Sequence, residues 1–325
     1  MNKCAGRISV IDPVDAAIQR VKQMLFRPFH LEKWLIVGFC AWLANFGQSG
    51  GPSFNVRRGF GSAEELKNQV IQNLPFILVI GAVAITAGTL ICVALMWLSS
   101  RGRFMFLHCV AEDRAEVKIP WRRYRMQGNS LFLFRLAVGF VALFVMGLLT
   151  AAAVVFGIVW GRSEGPAGVI IVAAVTTPAL ILLAVTFALV GKFTKDFVVP
   201  IMALRNCTCT AAWQEFWGML GANKGRFAVY ILFQVVIALV IGFITGIIVL
   251  ATCCCAACIM AIPYIGAVFL LPLSVFMRAY SLFYLAQYGT AYNAIAPAPQ
   301  PEAPPQYDPA PRQYTPPSVP PIQGL

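Results

Sequence analysis

Cysteine is the residue type here best suited to metal or redox chemistry. The chain has ten, four of them in Cys253-Cys254-Cys255-Ala256-Ala257-Cys258. The pair Cys255-x-x-Cys258 has the spacing of half a zinc site or of a redox dithiol. A second ligand pair is missing, because the two histidines, His30 and His108, fall on the opposite side of the topology derived below. Soft, small thiols filling a tight helix pair are therefore the expected reading, and a disulfide there requires an oxidising compartment. Cys207-x-Cys209 falls on the other side and is expected to be reduced. Acid–base chemistry finds less support: Glu112, Asp113 and Glu116 sit in a polar stretch that reads as a solvated face. No paired-carboxylate cluster, Ser/His/Asp set or His-Glu-x-x-His accompanies them. We expect no enzyme, no catalytic residue, no metal and no cofactor.

The elements that would have to position such groups are built for lipid. Of the 325 residues 59% are hydrophobic and only 12% charged, and the mean hydropathy is +0.75, which excludes a water-soluble surface. Crossing about 30 Å of hydrocarbon takes about 20 apolar residues. Six stretches approach this: 30–46, 74–98, 131–160, 167–190, 227–255 and 259–276. Pro178, Pro263 and Pro272 are placed to kink or end helices. The first 30 residues are polar and include Asp12 and Asp15. They lack the apolar core of a secretory leader, so the first span is expected to act as an uncleaved insertion signal.

Charge sets the expected orientation. Six Lys or Arg precede or begin the first span, seven lie in the second loop, five in the fourth and two after the sixth span, making 20 on one side. The other side has Arg57, Arg58, Lys67 and Arg162, and Arg135 falls just inside the third span. Positive residues stay on the cytoplasmic side, so both ends are expected there, in a cell (cytoplasmic) membrane of bacterial type. The net charge of +12 is then a basic fringe beside anionic lipid, and no nucleic-acid partner is needed.

An internal repeat is visible. Residues 16–25 read AAIQRVKQML and residues 211–220 read AAWQEFWGML; both directly precede a span. A third, weaker copy matches Trp121 to Trp213 and Tyr124 to Phe216. Trp213, Phe216, Trp217 and Leu220 form one helical stripe, with Gln214 and Glu215 facing away, as in short helices lying in a membrane interface. Similar exits follow the even-numbered spans: 103–107, 196–200 and 279–284. The predicted fold is an all-α membrane protein of six transmembrane helices. They form three parallel two-helix repeats, each preceded by a cytoplasmic interfacial helix. Residues 1–29 form the N-terminal segment, 30–290 the transmembrane domain and 291–325 a Pro-rich disordered tail. Anionic headgroups are expected at Arg122, Arg123 and Arg125 with Trp121 and Tyr124, and at Arg20 and Lys22.

Other patterns have modest readings. Gly157-x-x-x-Gly161 and Gly242-x-x-x-Gly246 suit close helix packing. Ser62-Ala63-Glu64-Glu65 reads as a capping box after the Gly-rich linker 47–61. The tail holds Pro317-Ser318-Val319-Pro320 and reads as a spacer or as a dock for a cytoplasmic partner. Mid-span ionisable groups are lacking, with Gln234 the nearest polar exception, which weakens a coupled transporter. The repeat, with its exits Arg101-Gly102-Arg103-Phe104 and Lys195-Asp196-Phe197, resembles uncharacterised bacterial six-helix membrane proteins. These are similar to the membrane domain attached to some glycerophosphodiester phosphodiesterases. That resemblance covers about residues 14–290 and implies no catalytic residue, because the phosphodiesterase barrel is absent. The expected function is a non-enzymatic scaffold, lipid-interacting or accessory membrane component; a permease or channel for a lipid or small solute through the bundle axis is the alternative.

Overall fold

Apolar runs this long, with their backbone groups bonded internally, fold as helices, because an open strand in lipid would leave its polar groups unpaired. The computed structural model describes residues 9–27, 30–45, 74–163, 165–252 and 263–295. Within them α1 is Asp12–Val21, prolonged by a π-helical turn at Lys22–Phe26, and α2 is Leu31–Asn45. Next come α3 (Leu74–Glu112), α4 (Lys118–Arg123), α5 (Arg125–Ser163) and α6 (Pro166–Phe193). A π-helical turn at Thr194–Val198 joins α6 to α7 (Val199–Arg205). The remainder is α8 (Cys209–Ala222), α9 (Lys224–Ala251), α10 (Pro263–Phe269) and α11 (Leu271–Ala286).

Among the described residues, four helices are long and apolar enough to cross a membrane: α3, α5, α6 with its continuation, and α9. The helices run past the expected span ends. Both α3 and α5 have 39 residues, about 58 Å at 1.5 Å per residue, nearly twice the hydrocarbon thickness. The polar stretch 101–112 is thus the end of α3, where Asp113 closes the helix with a left-handed φ of 58°. Likewise 191–205 continues helically to Asn206 (φ 51°). Polarity marks where these helices leave the apolar layer, and they do not end there.

The first expected span, 30–46, is described as the short helix α2. At 15 residues, α2 reaches only about 22 Å, and it lies against the polar end of α3. Lys33 Nζ pairs with Asp113 at 3.0 Å, the Cys40 and Cys109 sulfurs are 4.0 Å apart, and Ser99 Oγ donates to the Ala44 carbonyl. Gly102 permits this approach: a Cβ there would lie 2.9 Å from the backbone carbon of Leu43. The sixth expected span, in its described part, is two helices that meet at Leu270, with Pro272 in the first turn of α11. There α10 leans on α2, with Val268 against Gly38 and Tyr264 Oη donating to the Leu35 carbonyl.

Protein core and lipid-facing surface are separated along the helices. Phe104, Met105, Phe197, Phe216, Phe227, Tyr230, Tyr280 and Tyr284 are all buried at the basic end. The aromatic rings among them interlock, for instance Phe197 on Phe216 at 5.3 Å and Tyr230 on Tyr284 at 4.6 Å. Of the expected packing glycines, Gly161 makes a close helix approach, where an added Cβ would lie 2.9 Å from Val169 Cγ2, and the other three do not. A Cβ added at Gly157, Gly242 or Gly246 would meet nothing within 4 Å, whereas one added at Gly168 would lie 2.7 Å from the Trp160 carbonyl oxygen in the α5–α6 hairpin. The first and last described segments close the core: Ser9 N–H donates to Gln287 Oε1, Gln287 Nε2 donates back to the Ser9 carbonyl, and Tyr280 Oη donates to the Val10 carbonyl.

The capping box at 62–65, the linker 47–61, the cysteine run 253–258 and the Pro-rich tail from 296 onward lie outside the described residues.

Candidate functional site

A basic–aromatic fringe forms where α3, α4 and α5 meet. Its short helix α4 starts after an acidic-to-basic change at Glu116 and Lys118, and its last turn carries Arg122 and Arg123. Trp121 from α4 faces Trp97 from α3, edge to face at 6.1 Å. The Arg101 guanidinium lies over both rings, 4.3 Å from Trp97 and 4.9 Å from Trp121, an arrangement in which two ring faces stabilise one cation. Asn129 on α5 fixes the set by accepting from Trp97 Nε1 at 3.2 Å and Arg101 Nη2 at 3.1 Å. Gly128 makes room for the Arg101 stem, which would lie 2.9 Å from an added Cβ. Trp97, Arg101, Trp121, Arg122 and Arg125 enclose an open cavity of about 370 Å³.

The sequence-derived lipid contacts divide between this fringe and the core. Trp121, Arg122 and Arg125 line the cavity. Arg123 is turned toward Glu112 at 3.5 Å and lies over the Tyr124 ring. Tyr124 is buried, stacked on Phe104 at 5.6 Å, and burial pushes its phenol pKa up. Arg20 is buried as well: its Nε donates to the Val110 carbonyl at 3.1 Å and Nη2 to Ala111 at 2.8 Å. It caps the C-terminal end of α3, where a cation complements the exposed carbonyls. Desolvation lowers its pKa, and Asp113 opposes that shift. Lys22 is exposed, in the turn that follows α1.

A second cavity, of about 710 Å³, runs along α6, α8 and α9. Leu189, Phe193, Trp217, Leu220, Ile231 and Val235 make most of its wall, and Lys224 is the charged residue lining it. Here the predicted α8 stripe splits: Phe216 turns into the core while Trp217 is 65% exposed and faces the cavity.

Behind these surfaces lies a charged layer whose members hydropathy alone distributes among loops. Lys192 Nζ meets Asp196 Oδ2 at 2.7 Å and donates to Gln234 Oε1 at 3.2 Å. Tyr230 Oη donates to Asp196 Oδ2, and Gln234 Nε2 donates to that hydroxyl. These bonds close a ring between α6 and α9, so Gln234 is a member of a buried network. Lys195 Nζ donates to Asn45 Oδ1 at 2.8 Å. Arg135 Nη1 donates to Ser100 Oγ at 3.0 Å. The useful signal in the sequence is the concentration of Lys, Arg and Asp within one turn of each aromatic exit.

Among the described residues, the Cys207–Cys209 pair lies where burial acts on its thiols. Burial pushes the Cys209 thiol up to about 12, with Cys207 adding to the effect, and burial raises Cys207 too. Both are therefore far from the thiolate that reactive cysteines require. Among the described residues no group of His, Cys, Asp and Glu could hold a metal ion. Near the end of α3, Asp113 pairs with Lys33 and Glu112 with Arg123.

No curated protein and no solved structure matches the chain. One family model does, over residues 8–291, which takes in α1 through the short turn after α11, and the chain therefore belongs to the DUF7544 family, a family of unknown function.

Proposed function

We propose that this protein is a non-enzymatic, lipid-interacting membrane component whose basic–aromatic fringe holds anionic headgroups. The observation that carries this reading is the cavity beside Trp97 and Trp121, with Arg101 clamped between the rings and Arg122 and Arg125 exposed at its rim. Aromatic rings suit the boundary between acyl chains and water. Each arginine near an anionic surface adds about 1 kcal/mol of attraction. The larger groove, apolar with Lys224 at its wall, has the chemistry to seat an acyl chain whose headgroup meets the lysine.

The finer architecture belongs to the same proposal: six crossings in three parallel two-helix units, both ends cytoplasmic, with the Pro-rich tail as spacer or dock for a cytoplasmic partner. Likeness to the membrane domain attached to some glycerophosphodiester phosphodiesterases fits a lipid-related role. Hydrogen bonds between Ser9 and Gln287 support an even number of crossings, since they need both residues on one side. The packing of α2 against the polar end of α3 makes the first crossing the part of this topology most open to test. Buried polar side chains such as Ser99, Arg103, Asp196 and Gln234 gather at the basic end, which favours lipid recognition there over a polar path along the bundle axis.

The test is the pair R122Q and R125Q made together. Correctly inserted variant protein should retain less anionic lipid, read by native mass spectrometry, while Arg101 and the core remain unchanged. Equal lipid retention in wild type and variant rejects the fringe as a headgroup site.

A further inference from the structure

Every polar side chain that lines the fringe cavity is a hydrogen-bond donor. The lining is Trp97, Arg101, Trp121, Arg122 and Arg125. An indole offers its N–H alone, and a guanidinium offers five N–H groups and no acceptor. Asn129 Oδ1, which is outside that lining, already accepts from Trp97 Nε1 and Arg101 Nη2. Three of the lining residues are cations, one each from α3, α4 and α5, and none is acidic. The charge that acts on Arg101 is that of Arg125, of like sign. Arg122 and Arg125 are exposed and take part in no ion pair among the described residues. Arg101 is only 9% exposed, and its Nε has no hydrogen-bond partner among the described residues.

A ligand for such a wall brings acceptors and negative charge, and few donors of its own. An ethanolamine headgroup carries an ammonium that would face three arginines and no carboxylate. A glycerol headgroup carries hydroxyl hydrogens for which the lining has no side-chain acceptor. The terminal group of a phosphate monoester has neither fault. It presents three acceptor oxygens and a charge of about −1.5 to −2 at pH 7, and a planar guanidinium fork takes its oxygens two at a time. Size and depth agree with this chemistry. At about 370 Å³ the cavity is near the small end of the range for ligand pockets, about 300–1,000 Å³, which suits a headgroup without its chains. Apolar sequence on α3 runs to Leu98, and Arg101 follows within one turn, at the height where an apolar layer gives way to phosphate.

We propose that the fringe cavity selects a phosphate monoester over a phosphate diester, the monoester being carried by a lipid headgroup or by a soluble compound. The lipid source rests on the headgroup reading of this cavity given above, and the preference for a monoester narrows that reading to one chemical class.

The experiment uses the full chain in a maltoside detergent, stripped of phospholipid as verified by native mass spectrometry. Titration calorimetry compares dioctanoyl phosphatidic acid, a lipid monoester, with dioctanoyl phosphatidylglycerol, a diester, and with glycerol 3-phosphate, a soluble monoester. At pH 7.5 wild type should bind phosphatidic acid about fivefold more tightly than phosphatidylglycerol, the effect of one further charge beside the arginines. At pH 5, below the second phosphate pKa of about 6, the monoester loses that charge and gains a donor, so the preference should vanish. Arg101, Arg122 and Arg125, which face the cavity from α3, α4 and α5, stay charged throughout. The diester reports any pH response of the protein itself, including that of His108 and Glu112 beside Tyr124 and Arg123. R122Q combined with R125Q should bring the two lipids to equal affinity. K118Q, which removes an exposed cation outside the lining, should keep the preference. Glycerol 3-phosphate bound as tightly as phosphatidic acid supports the monoester site and rejects lipid as its source. Equal affinity of wild type for the two lipids, or a preference that R122Q with R125Q leaves intact, overturns the inference. Where those two substitutions still weaken both lipids alike, the headgroup reading survives that failure; no binding of any probe overturns both.

Discussion

The basic end and the apolar lengths of the same helices obey different packing rules. At the basic end Phe197, Tyr230 and Tyr280 are completely enclosed by protein, as in the core of a soluble domain. Along the apolar lengths Phe140 is 72% exposed and Leu143 77% on α5, and Phe243 is 71% exposed and Leu250 77% on α9. Those side chains meet lipid, which is as apolar as they are, so burying them against protein would add little. The comparison teaches that fold specificity resides in the basic end, while the apolar lengths supply insertion.

This contrast can be broken most directly by truncating one large apolar side chain in each region. Phe197→Ala, which removes a ring stacked on Phe216 and in contact with Phe227 and Tyr230, should destabilise by about 3–5 kcal/mol. Leu143→Ala should change stability by less than about 0.5 kcal/mol. Unfolding of the detergent-solubilised protein measures both, and similar losses would erase the distinction. A smaller effect is expected from glycine. Gly102→Ala forces a methyl against the Leu43 backbone and should cost about 2–3 kcal/mol. Gly242→Ala, facing open space, should be neutral or slightly stabilising, since alanine is the better helix former. The smallest of the three is Arg20→Gln. Losing two charge-assisted bonds to the Val110 and Ala111 carbonyls should cost about 2 kcal/mol, with faster hydrogen exchange at residues 108–113. Unchanged exchange there would return Arg20 to the surface role its sequence position suggests.

Hydropathy makes the lipid-facing half legible, because a run such as 131–160 has few other uses. The helices that contain 74–98 and 167–190 are located for the same reason. What it cannot show is that α3 and α6 continue past their first charges. Arg103 and Asp196 look like loop residues in a window average, yet Phe104 and Phe197 beside them are core. Burial of a charge depends on partners from distant segments: Lys195 meets Asn45, and Asp196 meets Tyr230. No local pattern encodes those partners. The α1 and α8 segments are legible as helices from their matching decapeptides. Which side of α8 faces the core is only half legible, since Trp217 and Phe216 differ in environment but not in apolar character. Arg20 and Arg122 are likewise the same residue type in similar basic surroundings, and only the end of α3 next to Arg20 separates a helix cap from a fringe charge.

The contact between Ser9 and Gln287 has a consequence for how the molecule is made. The ribosome makes α1 long before α11, which provides its seat through Tyr280 and Gln287. Throughout elongation the amino-terminal helix must therefore wait, tethered beside the membrane, with its apolar face and Arg20 awaiting partners. The core is sealed by α11, so a nascent chain halted before residue 271 carries the four long apolar helices described above and still lacks the latch between Ser9 and Gln287.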